Sequence, residues 1–536
     1  MSSSSTDQSL IAAECAQRRT FAIISHPDAG KTTLTEKLLL YAGMLRTAGM
    51  VQGRKSRKGA SSDWMQMEQE RGISITASAM QFHYKGVVIN VLDTPGHQDF
   101  SEDTYRTLTA ADSAVMVIDS AKGVEAQTRK LFTVCRMRNI PILTFINKLD
   151  LSGRDPFDLL AEVESALDIE AAPLNWPIGQ GKEFLGVADC RSDQIIFFEK
   201  TSVGGAQKAA ATRMSLEQAR DAKRIPDELL SKLEEELELL REAGNAFSNE
   251  RFQSCQVTPV FFGSALTNFG IEPFFDSFAE LAPAPSARLA DSSSGEQISI
   301  DPVKDDFSAY VFKIQANMDP RHRDSMAFLR ICSGQFERDL SVTQERTGKA
   351  VRLSRSHSMF GGDRNTVNAA FPGDIVGVVN PGAFAIGDTI SATGGFSFKP
   401  MPKFPPEVVA TLRPSDMKRK KAFDKGIEQL CNEGAVLMLQ RRDRVDQHLV
   451  AAVGKLQFDV LKFRMQSEYN VEVVLEMLPY TQGAWLIGDP EAFNPPSSAL
   501  VAYDVHERPI MLFKQDWEKR YALEENPEHQ LQEFIY

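Results

Sequence analysis

The first half of the chain alternates short apolar runs with polar, helix-length segments. Phe21-Ala22-Ile23-Ile24 reads as a strand, Lys31 to Tyr41 as a helix, and a long polar stretch follows. Met80 to Tyr84 and Val87-Val88-Ile89-Asn90-Val91-Leu92 then flank Lys85-Gly86, a two-residue hairpin signal. Ala114-Val115-Met116-Val117-Ile118 and Pro141-Ile142-Leu143-Thr144-Phe145-Ile146 are unbroken apolar runs of strand length, the pattern of strands covered on both faces. Helical segments at about Ala126 to Arg138 and Pro156 to Leu167 separate them, so a mostly parallel sheet wrapped by helices is predicted.

Downstream the pattern changes. Between Asp150 and Ser264 lies an apparent insertion whose charged stretch Pro226 to Ala243 is strongly helical; its Leu spacing favours packing on its own domain over a free partner-binding face. Pro283-Ala284-Pro285 and Asp291-Ser292-Ser293-Ser294-Gly295 mark a linker. From Phe307 to about Ser391 the runs are short, β-branched and broken by Gly, as in Ala309 to Ile314 and Gly373 to Val379, which predicts a small antiparallel barrel. After a hinge at Pro400 to Pro406, Val408 to Leu412, a helix near Met417 to Glu433, Val436 to Leu439, a helix near Gly454 to Gln466, and Val471 to Leu475 suit a split βαβ, ferredoxin-like order. The expected organisation is multidomain: a disordered tail over 1–17, an α/β phosphate-loop domain over 18–288 with its insertion at about 168–255, an antiparallel β-barrel over 300–398, an α+β domain over 405–480, and an unassigned extension over 481–536.

Composition narrows the function classes. With 42% hydrophobic and 25% charged residues the chain resembles an ordinary soluble globular protein, and a net charge of −12 gives no general attraction to a polyanion. Local basic clusters must be judged separately. Six cysteines without a C-x-x-C pair argue against a zinc site or a disulfide framework and fit a reducing cytoplasm. The Ser-rich start lacks the basic and apolar parts of a signal peptide, and no apolar run reaches membrane-spanning length, so neither secretion nor a membrane is expected.

Three strand ends carry the chemistry. Ser25-His26-Pro27-Asp28-Ala29-Gly30-Lys31-Thr32 fits the phosphate-loop pattern with Ser25 in place of the first Gly. Backbone N–H groups from Asp28 to Thr33 would face phosphates at a helix N-terminus, Lys31 would reach the terminal phosphates, and the Thr32 hydroxyl would hold magnesium. In Asp93-Thr94-Pro95-Gly96-His97 the aspartate would hold magnesium through water, and the Gly96 N–H would meet the γ-phosphate. An imidazole is a poor stoichiometric base toward water, and loose phosphoryl transfer asks mainly for positioning and charge, so His97 is expected to orient the attacking water. Asn147-Lys148-Leu149-Asp150 supplies base selectivity: the Asp150 carboxylate can accept N1–H and the 2-amino group of guanine, whereas adenine would leave it unpaired. GTP and GDP are therefore expected, with Asn147 bonding base and polypeptide and the Lys148 stem over the ring. Ser264-Ala265-Leu266 follows another apolar run and would support the base through its backbone.

Ser25 to Thr32, Glu70-Arg71-Gly72-Ile73-Ser74-Ile75-Thr76, Asp93 to His97 and Asn147 to Asp150 together resemble the translational GTPases over nearly the whole chain, most closely the class II release factors. That resemblance implies a switch ending at Arg71-Gly72-Ile73-Ser74, in which a hydroxyl at Ser74 completes the magnesium shell where most relatives carry Thr. It places Ile73 and Pro27 as an apolar gate between His97 and water, Pro27 departing from the usual aliphatic residue. The implied work is a GTP-timed cycle on the ribosome, in which the class I release factor is ejected after peptide release. Ribosomal RNA contacts are sought among Lys418-Arg419-Lys420-Lys421 and Arg441-Arg442-Asp443-Arg444, and with less support at Arg54 to Lys58 and Arg321 to Arg323. No DNA partner is expected. The alternative is an elongation factor G-like translocase or ribosomal protection GTPase, which such a resemblance expects to be longer beyond Leu478. A phosphate-loop kinase or ATPase is disfavoured by Asn147 to Asp150, and a non-hydrolysing RNA-binding module would not need His97.

Overall fold

The computed structural model describes residues 3–45, 76–199, 205–316, 325–354, 356–360, 363–442 and 448–536. A seven-stranded sheet organises the first half, in the order Ser78–Tyr84, Val87–Asp93, Arg18–Ser25, Ser113–Asp119, Ile142–Asn147, Val257–Phe262, Glu170–Pro173. All neighbouring pairs are parallel except the Lys85-Gly86 hairpin pair. Every residue of Ser113–Asp119 and Ile142–Asn147 is buried, because successive side chains enter opposite cores. Ile24, Met116, Ile118 and Ile146 face one core; Ile23, Val115, Val117 and Phe145 face the other, against Phe274 and Phe278 of the helix Ile271–Leu281.

The register aligns the carboxyl ends. Ile23 pairs with Asp93 and Asp119 with Asn147, so four strands deliver their following turns to one edge of the sheet, where open α/β sheets bind ligands.

Residues 3–17 differ from the disordered tail expected. Ser3–Gln17 is a helix whose Ile11 and Cys15, one turn apart, are buried, with the Cys15 thiol 3.7 Å from the Pro285 carbonyl. Glu170–Pro173 is the edge strand of the main sheet, so the segment built outside that sheet begins at Asn175. It forms a four-stranded antiparallel sheet carrying the helix Asp227–Ala243, whose Leu230, Leu233 and Leu237 are buried and whose Glu236 accepts the Trp176 indole N–H at 2.8 Å. The Asp291 to Gly295 stretch is a hairpin turn rather than a free linker: Arg288–Ser292 pairs with Gln297–Ile300 on one side and Phe396–Phe398 on the other.

The second unit is an eight-stranded antiparallel sheet curled round Val311, Leu329, Ile331, Val376 and Ile390. It is locked to the first unit by Arg330, 1% exposed, which donates to the carbonyls of Ala110 and Gly373 and to both Asp112 oxygens. The third has the antiparallel order Leu437–Leu439, His448–Ala452, Val408–Pro414, Val473–Met477, with Lys420–Asn432 and Lys455–Tyr469 on one face, a split βαβ fold. The last fifty residues, aperiodic in sequence, form a further antiparallel sheet, Leu500–Tyr503, Pro509–Phe513, Gln482–Ile487, Gln530–Gln532. Its Trp485, Ile510 and Leu512 share one core with Val409, Leu449 and Ala451, so the extension covers the free face of the α+β sheet. Among the described residues, no helix is long and apolar enough to cross a membrane.

Candidate active site

A cavity of about 360 Å³ opens at the carboxyl edge of the main sheet. Its walls are Ser25, His26, Pro27, Asp28, Gly30, Lys31, Thr32 and Thr33 from the loop and helix after the first strand, Gly96 and His97, then Asn147, Lys148, Asp150, Leu151, Ala265 and Leu266. Segments from four distant stretches of sequence meet in it. Of the remaining residues singled out by motif, Ala29, Asp93, Thr94, Pro95, Leu149 and Ser264 stand behind the wall and hold it.

The loop is fixed from both sides. Gly30 precedes the helix Lys31–Tyr41 at φ 99°, a left-handed conformation costly for other residues, and a Cβ on it would overlap the Asn147 amide. That amide donates to the Ala29 carbonyl at 2.8 Å, and its oxygen accepts the Ala265 N–H at 2.9 Å. Lys31, buried, pairs closely with the Asp93 carboxylate, and the Thr94 hydroxyl donates to the Ile23 carbonyl at 2.6 Å. Thr32 and Asp93 are hard oxygen donors of the type magnesium takes.

At the opposite end, the Ser264 hydroxyl donates to Asp150 at 2.6 Å, and the Lys148 ammonium meets Asp119 at 2.7 Å. Burial by itself would raise the Asp119 carboxyl; the hydrogen bonds from Lys148 and from the Ala121 and Lys122 N–H groups outweigh it and hold the pKa below the ordinary carboxylate value. Asp119 belongs to no motif in the sequence, and its position at the end of an apolar strand is the only signal that could have found it. Glu125 was equally silent: it ends the turn before Ala126–Met137 and lies 3.2 Å from the His26 Nε2.

His97 is half-buried. Its Nδ1 faces Asp99, 3.2 Å from that residue's N–H nitrogen and 3.3 Å from its carboxylate Oδ1. Arg71, Gly72, Ile73 and Ser74 lie outside the described residues, as do Arg54 to Lys58, Arg321 to Arg323 and Arg444. Pro27 lines the cavity. Lys418, Arg419, Lys420 and Lys421 are exposed at the start of a helix, whereas Arg442 is engaged within the chain: it pairs with Glu491 at 2.7 Å and stacks 4.1 Å from the Tyr503 ring centre. Arg441 is half-buried.

Comparison with known proteins adds three matched families: the Elongation factor Tu GTP binding domain over residues 16–284, Elongation factor G domain 2 over 306–393, and the Class II release factor RF3, C-terminal domain over 398–523. The chain is similar to the peptide chain release factor 3 of Gloeobacter violaceus, 52% identical with 98% of each chain covered. It is also similar to those of Acaryochloris marina, at 49%, and Trichodesmium erythraeum, at 50%, each with 96% of this chain and 95% of the relative covered. A solved structure from Thermus thermophilus shares the fold, with a TM-score of 0.68 at 22% identity, covering 91% of this chain and 72% of that one.

Proposed function

The chain belongs to the peptide chain release factor 3 family of translational GTPases, GTP hydrolases of translation termination, and from this premise we propose that the ribosome stimulates its hydrolysis and that its GTP form promotes departure of the class I release factor after peptide release. Hydrolysis then drives its own departure. The observation that carries the termination reading is the class II release factor match over residues 398–523, attached to a phosphate-loop head.

In this reading Asp150 accepts from the guanine N1–H and 2-amino group, with Ser264 occupying a further lone pair and Lys148 held over the base by Asp119. Lys31 and the N–H groups from Asp28 to Thr33 bind the phosphates. Thr32, Ser74 and, through water, Asp93 would hold magnesium, which would neutralise charge on the phosphate oxygens. His97 orients the attacking water and does not act as its stoichiometric base. The γ-phosphate biases the switch only through contacts it makes in one state and not in the other. Lys418, Arg419, Lys420 and Lys421 are the ribosomal RNA contacts this reading favours, and the cytoplasm is its compartment.

Turnover of a class I release factor on post-termination ribosomes tests the function. Acceleration that requires this protein and GTP supports it; acceleration of translocation would favour the elongation-type alternative.

A further inference from the structure

Two glycines of the α+β unit receive side chains from the segment that follows His97. Gly454 is the N-cap of the helix Lys455–Tyr469, where a Ser, Thr, Asp or Asn side chain ordinarily accepts an N–H of the first turn. Gly454 has none to offer. The Asp99 carboxylate takes that place from another domain: its Oδ2 accepts the Leu456 N–H at 2.8 Å, and Asp99 is 7% exposed. A Cβ on Gly454 would overlap this carboxyl. At Gly434 the Arg106 guanidinium fills the space a Cβ would need, and it donates to the carbonyls of Glu433 and Gly434 at 3.3 and 3.2 Å. Between the two sockets Phe100 packs on Val460 and on Leu456 and Phe463 of the same helix.

Asp99 has a second bond that points the other way. Its N–H and its Oδ1 both face His97 Nδ1, at 3.2 and 3.3 Å, so one residue both caps the α+β helix and holds the imidazole of the candidate catalytic histidine. The fold therefore contains a direct connection, one residue long, between the unit expected to meet the ribosome and His97.

We propose that Asp99 is a positioning residue through which the α+β domain sets the orientation of the His97 ring. A rigid displacement of that domain carries Leu456 and Gly434 together, pulls on Asp99 and Arg106 at once, and so reaches the imidazole. This rests on the role given to His97 above.

The test uses the full chain as wild type, Gly454→Ala, Asp99→Ala, Asp99→Asn and the Gly454→Ala/Asp99→Ala double variant. GDP affinity is measured by calorimetry, and single-turnover GTP hydrolysis is followed over a range of ribosome concentrations. Gly454→Ala should leave GDP affinity and the half-saturating ribosome concentration within about twofold while lowering the maximal stimulated rate at least about tenfold. Asp99→Asn keeps an oxygen for the Leu456 N–H and should stay within about threefold of wild type. The double variant should be no slower than the slower single variant, because loss of the carboxyl makes room for the Cβ. Unchanged maximal rates, multiplying losses, or a change confined to the half-saturating ribosome concentration would each overturn the proposal. Imidazole nitrogen NMR of His97 in the free protein reads the same connection without a ribosome. Gly454→Ala should shift the His97 ring-nitrogen resonances away from those of wild type; identical spectra would overturn the proposal. A wild type lacking ribosome stimulation would contradict the proposed function, and the NMR arm would then decide the connection alone.

Discussion

The Asn147 side-chain amide donates to the Ala29 carbonyl at 2.8 Å, joining the base end of the cavity to the phosphate loop across 118 positions of sequence. With its oxygen on the Ala265 N–H at 2.9 Å, the same side chain ties three loops together, and both bonds are buried. One side chain thus fixes these three loops to one another.

Asn147→Ala leaves a carbonyl and an N–H unpaired in the interior, at about 1–3 kcal/mol each. Thermal unfolding should fall by several degrees, and GDP affinity should drop at least about tenfold. Calorimetry with GDP checks this; unaltered affinity would remove Asn147 from the frame of the site.

Asp150→Asn keeps an acceptor oxygen for the N1–H of the base and places an amide donor opposite its 2-position. Preference should turn from guanine toward xanthine nucleotides, since xanthine offers an acceptor where guanine has its 2-amino donor. Competition binding with GDP and XDP measures it. Retained guanine preference would assign the base to other residues.

Asp119 predicts an acid response. Its folded-state pKa lies below the ordinary value of 3.8. The ionised carboxylate therefore contributes stability that is complete above that range and is lost as pH falls through the depressed folded value. Asp119→Asn should be less stable than wild type by a constant amount from pH 5 to 8, and the gap should close below about pH 4. Denaturation midpoints across that range measure the gap; a gap that widens in acid would contradict the assignment.

Arg330→Met should loosen the lock between the sheet domain and the barrel. Arg330 is 1% exposed and bonds both Asp112 oxygens, so its removal strands a buried carboxylate on the weaker Arg288 contact at 3.4 Å. Breaking such a pair costs about 3–5 kcal/mol. Calorimetric unfolding should lose cooperativity between the two units; an unchanged single transition would show that the lock lies elsewhere.

The parts of the site legible in sequence are those where chemistry and strand end are adjacent in the chain. Ser25 to Thr32, Asp93 to His97 and Asn147 to Asp150 each follow an apolar run, so local pattern sufficed to place them on one edge. Asp119 was invisible because its partner, Lys148, is met only through the parallel register that sets Asp119 beside Asn147. The connection from Asp99 to Leu456 spans 357 positions and involves a glycine, which carries no chemical signature. The helix Ser3–Gln17 escaped because its apolar stripe is short and follows a Ser run that resembles a flexible tail. The last sheet escaped because its strands, half-covered by their neighbours, keep no clean alternation, as in Gln482–Ile487. In contrast, the central strands Ser113–Asp119 and Ile142–Asn147 were plain from their nearly continuous apolar runs, since burial on both faces leaves only Thr144 polar between their ends, its hydroxyl 2.8 Å from that of Thr258.

The most direct measurement of the central claim is the dissociation rate of a labelled class I release factor from post-termination ribosomes, with this protein and GTP, with GDP, and with His97→Ala and GTP. The account predicts acceleration with wild type and GTP, none with GDP, and ribosome-stimulated GTP hydrolysis that is lost in His97→Ala although GTP still binds. A dissociation rate indifferent to this protein, or full stimulated hydrolysis without His97, would contradict it.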